Sequence, residues 1–314
     1  MKLLKVILLS VVLLFPMANG VSATEPAAAV AAGHAEAAAA HGGTAAHGLP
    51  ASAVKIGSIA GLPITNSMVV TWGVALFLIA FAQLATRRMQ AVPRGAQNFW
   101  EWLVEGLYSF LEGIMGAALV KKTFWFFATI FIFILFANWL SLIPGIGTIG
   151  WGAHGEHGFR VTEPWLRGVN ADLNMTLAMA MTFFACWLVW ALQANGPIGF
   201  LKHLFAPKGE STGLIKLVML VVFLAVGLLE VVSILFRPVS LSFRLYGNIF
   251  AGETMLEAMA NLVPGWLGRI LIPIPFYFLE LLVGLVQALV FMLLTSVFTI
   301  LICQHGEEHG KTQE

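Results

Sequence analysis

Long apolar runs separated by short polar stretches dominate this chain. The first run long enough to cross a bilayer extends from about Met68 to Ala85 and is closed by Arg87 and Arg88. A second runs from about Thr123 to Ile143, ending at Pro144-Gly145, and a third from about Leu173 to Leu192. A hydrocarbon core of about 30 Å needs about 20 apolar residues in a helix, so each run predicts one crossing. From Leu214 to Leu262 the chain stays mostly apolar, with Pro238 its only proline. A helix of that extent would measure about 70 Å, so it either tilts strongly or breaks near Pro238. A last run, about Ile274 to Cys303, would measure about 45 Å. Joined through Pro264-Gly265, the two overlong segments predict a tilted helical hairpin.

One segment reads differently. Between Gln97 and Gly116, Phe99, Trp102, Leu103, Leu107, Phe110, Leu111 and Ile114 recur at helical spacing, while Glu101, Glu105 and Glu112 take other positions. That pattern predicts an amphipathic helix lying along the membrane interface. The fold class expected is therefore all-α and polytopic, with five membrane helices and one interfacial helix.

The N-terminal region has its own organisation. Lys2 and Lys5 precede the short apolar run Val6 to Phe15, and Val21-Ser22-Ala23 fits a small-residue cleavage site, so residues 1–23 predict a secretory signal, with an extra N-terminal anchor as the rival reading. Residues 24–66 begin with a stretch rich in Ala, Gly and His, poor in large apolar groups, which predicts a disordered tail outside the membrane. Residues 67–304 form the membrane domain, and 305–314 a short polar tail.

Charge orients the spans. With the N-terminus outside, five crossings place Arg87, Arg88, Arg94, Lys121, Lys122, Lys202, Lys208, Lys216 and Lys311 inside, and Lys55, Arg160, Arg167 and Arg269 outside. This bias agrees with the positive-inside rule and puts the C-terminus in the cytoplasm of a bacterial cell. Across the 314 residues, 59% are hydrophobic and 11% charged, with a net charge of +1. Soluble domains carry about a quarter charged residues, so much of this surface faces lipid. No basic run suits nucleic acid. Cys186 and Cys303, in separate apolar runs, read as small buried hydrophobes.

Ionisable residues inside the spans carry the chemistry. Each charge at a helix centre costs roughly 2.5–3.5 kcal/mol, yet the last two long segments hold Glu230, Arg237, Arg244, Glu253, Glu257 and Glu280. Glu230, Arg237, Arg244 and Asn248 follow at spacings of 7, 7 and 4, which keeps them near one helical face. Glu253, nine residues past Arg244, falls about half a turn out of phase. Glu280 and Gln287 share a face on the last helix. A cation on one side and separated carboxylates on the other suits a proton relay with a fixed barrier. Glu230 and Arg237 read equally as a mutual pair, and Glu257, near a helix end, reads as reaching water.

The run Arg237-Pro-Val-Ser-Leu-Ser-Phe-Arg-Leu-Tyr-Gly-Asn-Ile-Phe-Ala-Gly-Glu253 resembles the signature of subunit a of the F-type ATP synthase. Asn138-Trp-Leu-Ser-Leu-Ile-Pro144 resembles the end of that family's second span, Asp172-Leu-Asn174-Met-Thr176 the start of its third, and Gln287-Ala-Leu-Val-Phe-Met292 its last helix. The resemblance implies that Arg244 is the essential arginine, Asn248 and Gln287 its polar neighbours, and Glu253 and Glu280 members of two aqueous half-channels. Glu230, Arg237, Asp172 and Asn174 are secondary candidates. It further implies a stator role beside a ring of c subunits, with subunit b and, indirectly, the F1 sector as partners. Relatives often place one Glu and one His at the two half-channel positions, whereas both here are acidic. Ser141 stands where relatives often carry Asp or Gly.

No cofactor is expected, and no nucleotide site. Gly310-Lys311-Thr312 has His305 where a phosphate-binding loop needs its leading glycine. His305-Gly-Glu-Glu-His309 matches a zinc-hydrolase pattern in a polar tail with no enclosing domain. The remaining alternative is a secondary transporter with its substrate site at the midplane; a structural scaffold would leave Arg244 and Glu253 unexplained. The ion, H⁺ or Na⁺, stays open at this level.

Overall fold

The computed structural model describes residues 53–59, 62–143, 150–155, 158–205, 214–263 and 265–310. The expected signal segment, the Ala/Gly/His-rich stretch up to residue 52 and the last four residues lie outside these. The elements are β1 (Lys55–Ile59), β2 (Leu62–Thr65), α1 (Asn66–Thr86), α2 (Ala96–Met115), α3 (Ala117–Ser141), β3 (Gly150–Gly155), β4 (Gly158–Pro164), a 3₁₀ turn (Val169–Ala171), α4 (Leu173–Phe205), α5 (Leu214–Leu262), α6 (Trp266–Leu271) and α7 (Ile274–Gly310). Among the described residues, five helices are long and apolar enough to cross a membrane, namely α1, α3, α4, α5 and α7.

The centre of the bundle is α3. In its most apolar window 67% is buried within the chain, against 17% for α5. The outer wall of α5 is thus left for lipid or for another protein. The interior is aromatic: Phe126 of α3 meets Trp190 of α4 edge-on at 5.7 Å and Phe183 at 6.2 Å. Indole and amide groups that point inward find backbone carbonyls, as buried polar groups must in an apolar medium. Asn138 Nδ2 donates to Gly284 O (3.0 Å), Trp139 Nε1 to Leu281 O (3.1 Å), Trp187 Nε1 to Phe298 O (3.0 Å) and Asn195 Nδ2 to Ile302 O (2.9 Å). Together these fasten α3 and α4 to α7 along its length.

The amphipathic helix is present as α2. Trp100, Leu107, Leu111 and Met115 are buried, and Tyr108 meets Phe124 of α3 edge-on at 5.1 Å. Phe99, Trp102 and Phe110 stay exposed. The helix stops at Gly116, whose φ of 77° suits glycine and whose N–H donates to Glu112 O.

Pro238 does not break the long helix: α5 runs unbroken for 49 residues. At 1.5 Å per residue it spans about 70 Å, so of tilt and break the structure takes the continuous helix. The third span ends close to the expected Leu192: its helix breaks at Gly196 (φ 68°), followed by Pro197, and a second helical stretch runs on to Phe205. A positive φ costs glycine little, and proline then withholds an N–H from the ladder.

One boundary differs from expectation. The segment 24–66 was expected to be a disordered tail, but its last part pairs as the antiparallel hairpin β1–β2. Composition missed the tie that fixes it. Asn66 N–H donates to Val54 O at 3.1 Å, its Oδ1 accepts Val54 N–H at 3.2 Å and its Nδ2 donates to Pro164 O at 2.9 Å. Asn66 thereby joins β1–β2 to the second hairpin, β3–β4. The polar stretch expected from residue 305 is helical up to Gly310, continuing the backbone of α7.

Candidate functional site

The two sides of α5 are set by its sequence. Ile234, Leu241, Ser242, Leu245 and Ile249 are buried at steps of seven, one, three and four, and this face packs chiefly on α4. Arg244 and Asn248 lie one turn apart on the exposed side with Val239 and Phe243. Glu253, about 14 Å further along the helix axis, is partly buried. The helix being continuous, the expected change of face between Arg244 and Glu253 is present.

Glu253 enters a polar cluster at the end of the bundle where α1 and α4 begin. Its carboxylate rests against Gly168, so closely that a Cβ there would overlap Oε1. The charges of Arg167 and Glu280 both act on it, and those of Arg167, Asp172 and Glu253 act on Tyr246. Glu280, on α7, is 6% exposed and packs its carboxyl group onto Gly252. Gly252 and Gly168 therefore mark the seats of the two acids. Gln287, two turns past Glu280, is partly buried. The structure thus brings Glu253 and Glu280 together and leaves Arg244 and Asn248 on the open face.

The secondary candidates divide. Asp172 is buried and precedes α4, where its Oδ1 accepts Asn174 N–H at 3.0 Å and its Oδ2 accepts the Ser67 hydroxyl. It is a helix N-cap that also holds the start of α1. Asn174 is partly buried beside it. Glu230 and Arg237 form the ion pair that was one of the two readings, at 3.0 Å. Arg237 also lies 4.6 Å from the ring centroid of Phe298 and 5.9 Å from that of Trp187. Glu257 is partly buried, not open to water as expected.

Sequence reasoning missed Arg167. It was counted among solvated outer charges, yet it is 2% exposed and donates from Nη2 to Ala171 O at 2.9 Å. It also missed Asn170, whose Nδ2 donates to Asn138 Oδ1 at 2.6 Å. Neither lies in an apolar run, so no hydropathy signal flags them; their position directly before the Asp172 cap is the only local hint. Among the described residues no group of three or more His, Cys, Asp or Glu is arranged to hold a metal ion.

Comparison with known proteins shows the family. The profile of the ATP synthase A chain family matches residues 68–299. ATP synthase subunit a of Gloeobacter violaceus is 33% identical over 78% of this chain and 86% of its own length. The sodium ion specific subunit a of Propionigenium modestum is 31% identical over 80% and 78%. Subunit a of Moorella thermoacetica is 31% identical over 78% and 94%. With the profile match running from the first membrane helix into the last, the chain belongs to the ATP synthase A chain family.

Proposed function

We propose that this chain is the proton-translocating stator subunit of an F-type ATP synthase, without a nucleotide site of its own. It offers two offset half-channels to a ring of c subunits. The observation that carries the reading is the placement of Arg244 on the open face of α5 while Glu253, on the same helix, meets Glu280 in a buried polar cluster. A guanidinium keeps its charge at physiological pH. Facing a rotor carboxylate in a low dielectric, it favours proton release from that acid and repels protons that would leak straight between the half-channels. Glu253 and Glu280 bind and pass protons on the side of the cluster, and Asn248 and Gln287 orient the groups between. Each charge crossing 100 mV is worth about 2.3 kcal/mol, and that free energy turns the ring.

The orientation that the charge bias favours places the mature N-terminus in the periplasm and the C-terminus in the cytoplasm of a bacterium, with the protein in the inner membrane. Subunit b holds the chain against rotation and the F1 sector is coupled through it. The test is ATP-driven pumping in inverted vesicles containing the whole complex. Arg244→Ala abolishes pumping while the c-ring still co-purifies; normal coupled pumping in that variant overturns the reading. Repeating the wild-type assay without sodium identifies the ion: proton transport persists, and a strict sodium requirement excludes it.

A further inference from the structure

Gly168 has no conformational reason to be glycine. Its φ of −51° and ψ of 132° are open to any L residue. What a side chain would lack there is room, because its Cβ would coincide with the Glu253 carboxylate. The surrounding segment is firmly held. Ala171 N–H donates to Gly168 O at 3.2 Å, Arg167 Nη2 donates to Ala171 O at 2.9 Å, and Asn170 is bonded to Asn138 of α3. Arg167, almost completely buried, brings its positive charge to the same acid. A fixed backbone, an absent side chain and a buried cation therefore meet at one carboxylate.

We propose that Arg167 and Gly168 are positioning residues of ion transfer: Gly168 is the seat that admits the Glu253 carboxylate, and Arg167 supplies the charge that holds it there. Proton transfer demands close approach of donor and acceptor, so a carboxylate pushed off its seat loses its partners even though its chemistry is unchanged. The segment before α4 thus does more than connect a hairpin to a helix. It sets where the acid of α5 stands relative to Glu280.

This inference rests on the proposed function, and the experiment separates the two. Gly168→Ala, Glu253→Asp and the double variant are made in the intact complex and assayed for assembly and for ATP-driven proton pumping in vesicles. Gly168→Ala lowers pumping on the order of 10- to 100-fold, as misplacement by about 1 Å does in other sites. Aspartate, shorter by one methylene, already stands off the seat and clears the added Cβ, so Gly168→Ala costs nothing further in that background: the double variant pumps as well as Glu253→Asp alone. Wild-type pumping by Gly168→Ala overturns the seat, and so does a double variant that falls below Glu253→Asp by as much as Gly168→Ala falls below wild type. Arg167→Lys, which keeps the charge, pumps about tenfold better than Arg167→Gln; equal rates remove Arg167 from the proposal. Arg244→Ala, run in parallel, reports only on the proposed function: if it pumps normally that reading fails, whatever the seat variants show.

Discussion

Arg237 donates to Glu230 across two turns of α5 while its guanidinium lies over the ring of Phe298 on α7. One cation thus serves an ion pair on its own helix and an aromatic contact on the next. The carboxylate is 47% exposed and the guanidinium 18%, on the wall of α5 left for lipid or another protein, so water does not screen the pair and stranding either partner is costly. Glu230→Gln keeps an oxygen that can accept from Arg237 and should leave pumping within about twofold, whereas Arg237→Ala, which also loses an aromatic contact of about 0.5–2 kcal/mol, should loosen the complex more, read as earlier release of the subunit on heating or in detergent. A complete loss of pumping in Glu230→Gln would make this carboxylate part of the ion path instead.

At Arg244 the residue type matters as much as the charge. Lysine in an apolar site can lose its proton, whereas arginine holds it. Arg244→Lys should assemble fully and still pump at least about tenfold more slowly than wild type. The comparison is made by fluorescence quenching in vesicles, alongside ATP hydrolysis by the same complexes. Lysine supporting the wild-type rate would mean that any cation suffices.

Asn138 is the structural test of the bundle. Its side chain is 2% exposed and both ends are used, by Gly284 O and by Asn170 Nδ2. Asn138→Leu removes both bonds and leaves the Asn170 amide without that acceptor, a cost of about 1–3 kcal/mol. Thermal denaturation of the purified complex should show earlier loss of this subunit. An unchanged midpoint would mean that the α3–α7 contact is held by apolar packing alone.

Asp172 should tolerate asparagine and not alanine. The Oδ1 of an asparagine can accept the Asn174 N–H as the carboxylate does, and its Nδ2 can donate to the Ser67 hydroxyl oxygen in place of the bond that Oδ2 accepts, whereas loss of an N-cap costs about 0.5–2 kcal/mol. Asp172→Asn is expected to assemble and pump within about twofold of wild type, and Asp172→Ala to assemble poorly, measured by the amount of subunit retained in purified complex. An Asp172→Asn complex that assembles without pumping would return this residue to the ion path.

What the sequence alone determined follows from its apolar runs and their period. Long apolar runs must be helices where no water can satisfy the backbone, so the five spans could be read directly, and α2 followed from the helical period of its apolar residues. The spacing of nine from Arg244 to Glu253 fixed their opposite facing as soon as the helix was unbroken. Tertiary structure alone decided whether it was unbroken at Pro238, because packing against α4 can hold a helix through a proline that propensity would end. It also decided that Arg167 is buried, that Gly168 lies against the Glu253 carboxylate, that Asp172 is a cap, and that Val54 and Pro164 converge on Asn66. Those relations join residues tens to more than a hundred positions apart. Local pattern carries the period of one helix but not the place where two segments meet, and burial of a loop charge depends wholly on what the rest of the chain puts around it.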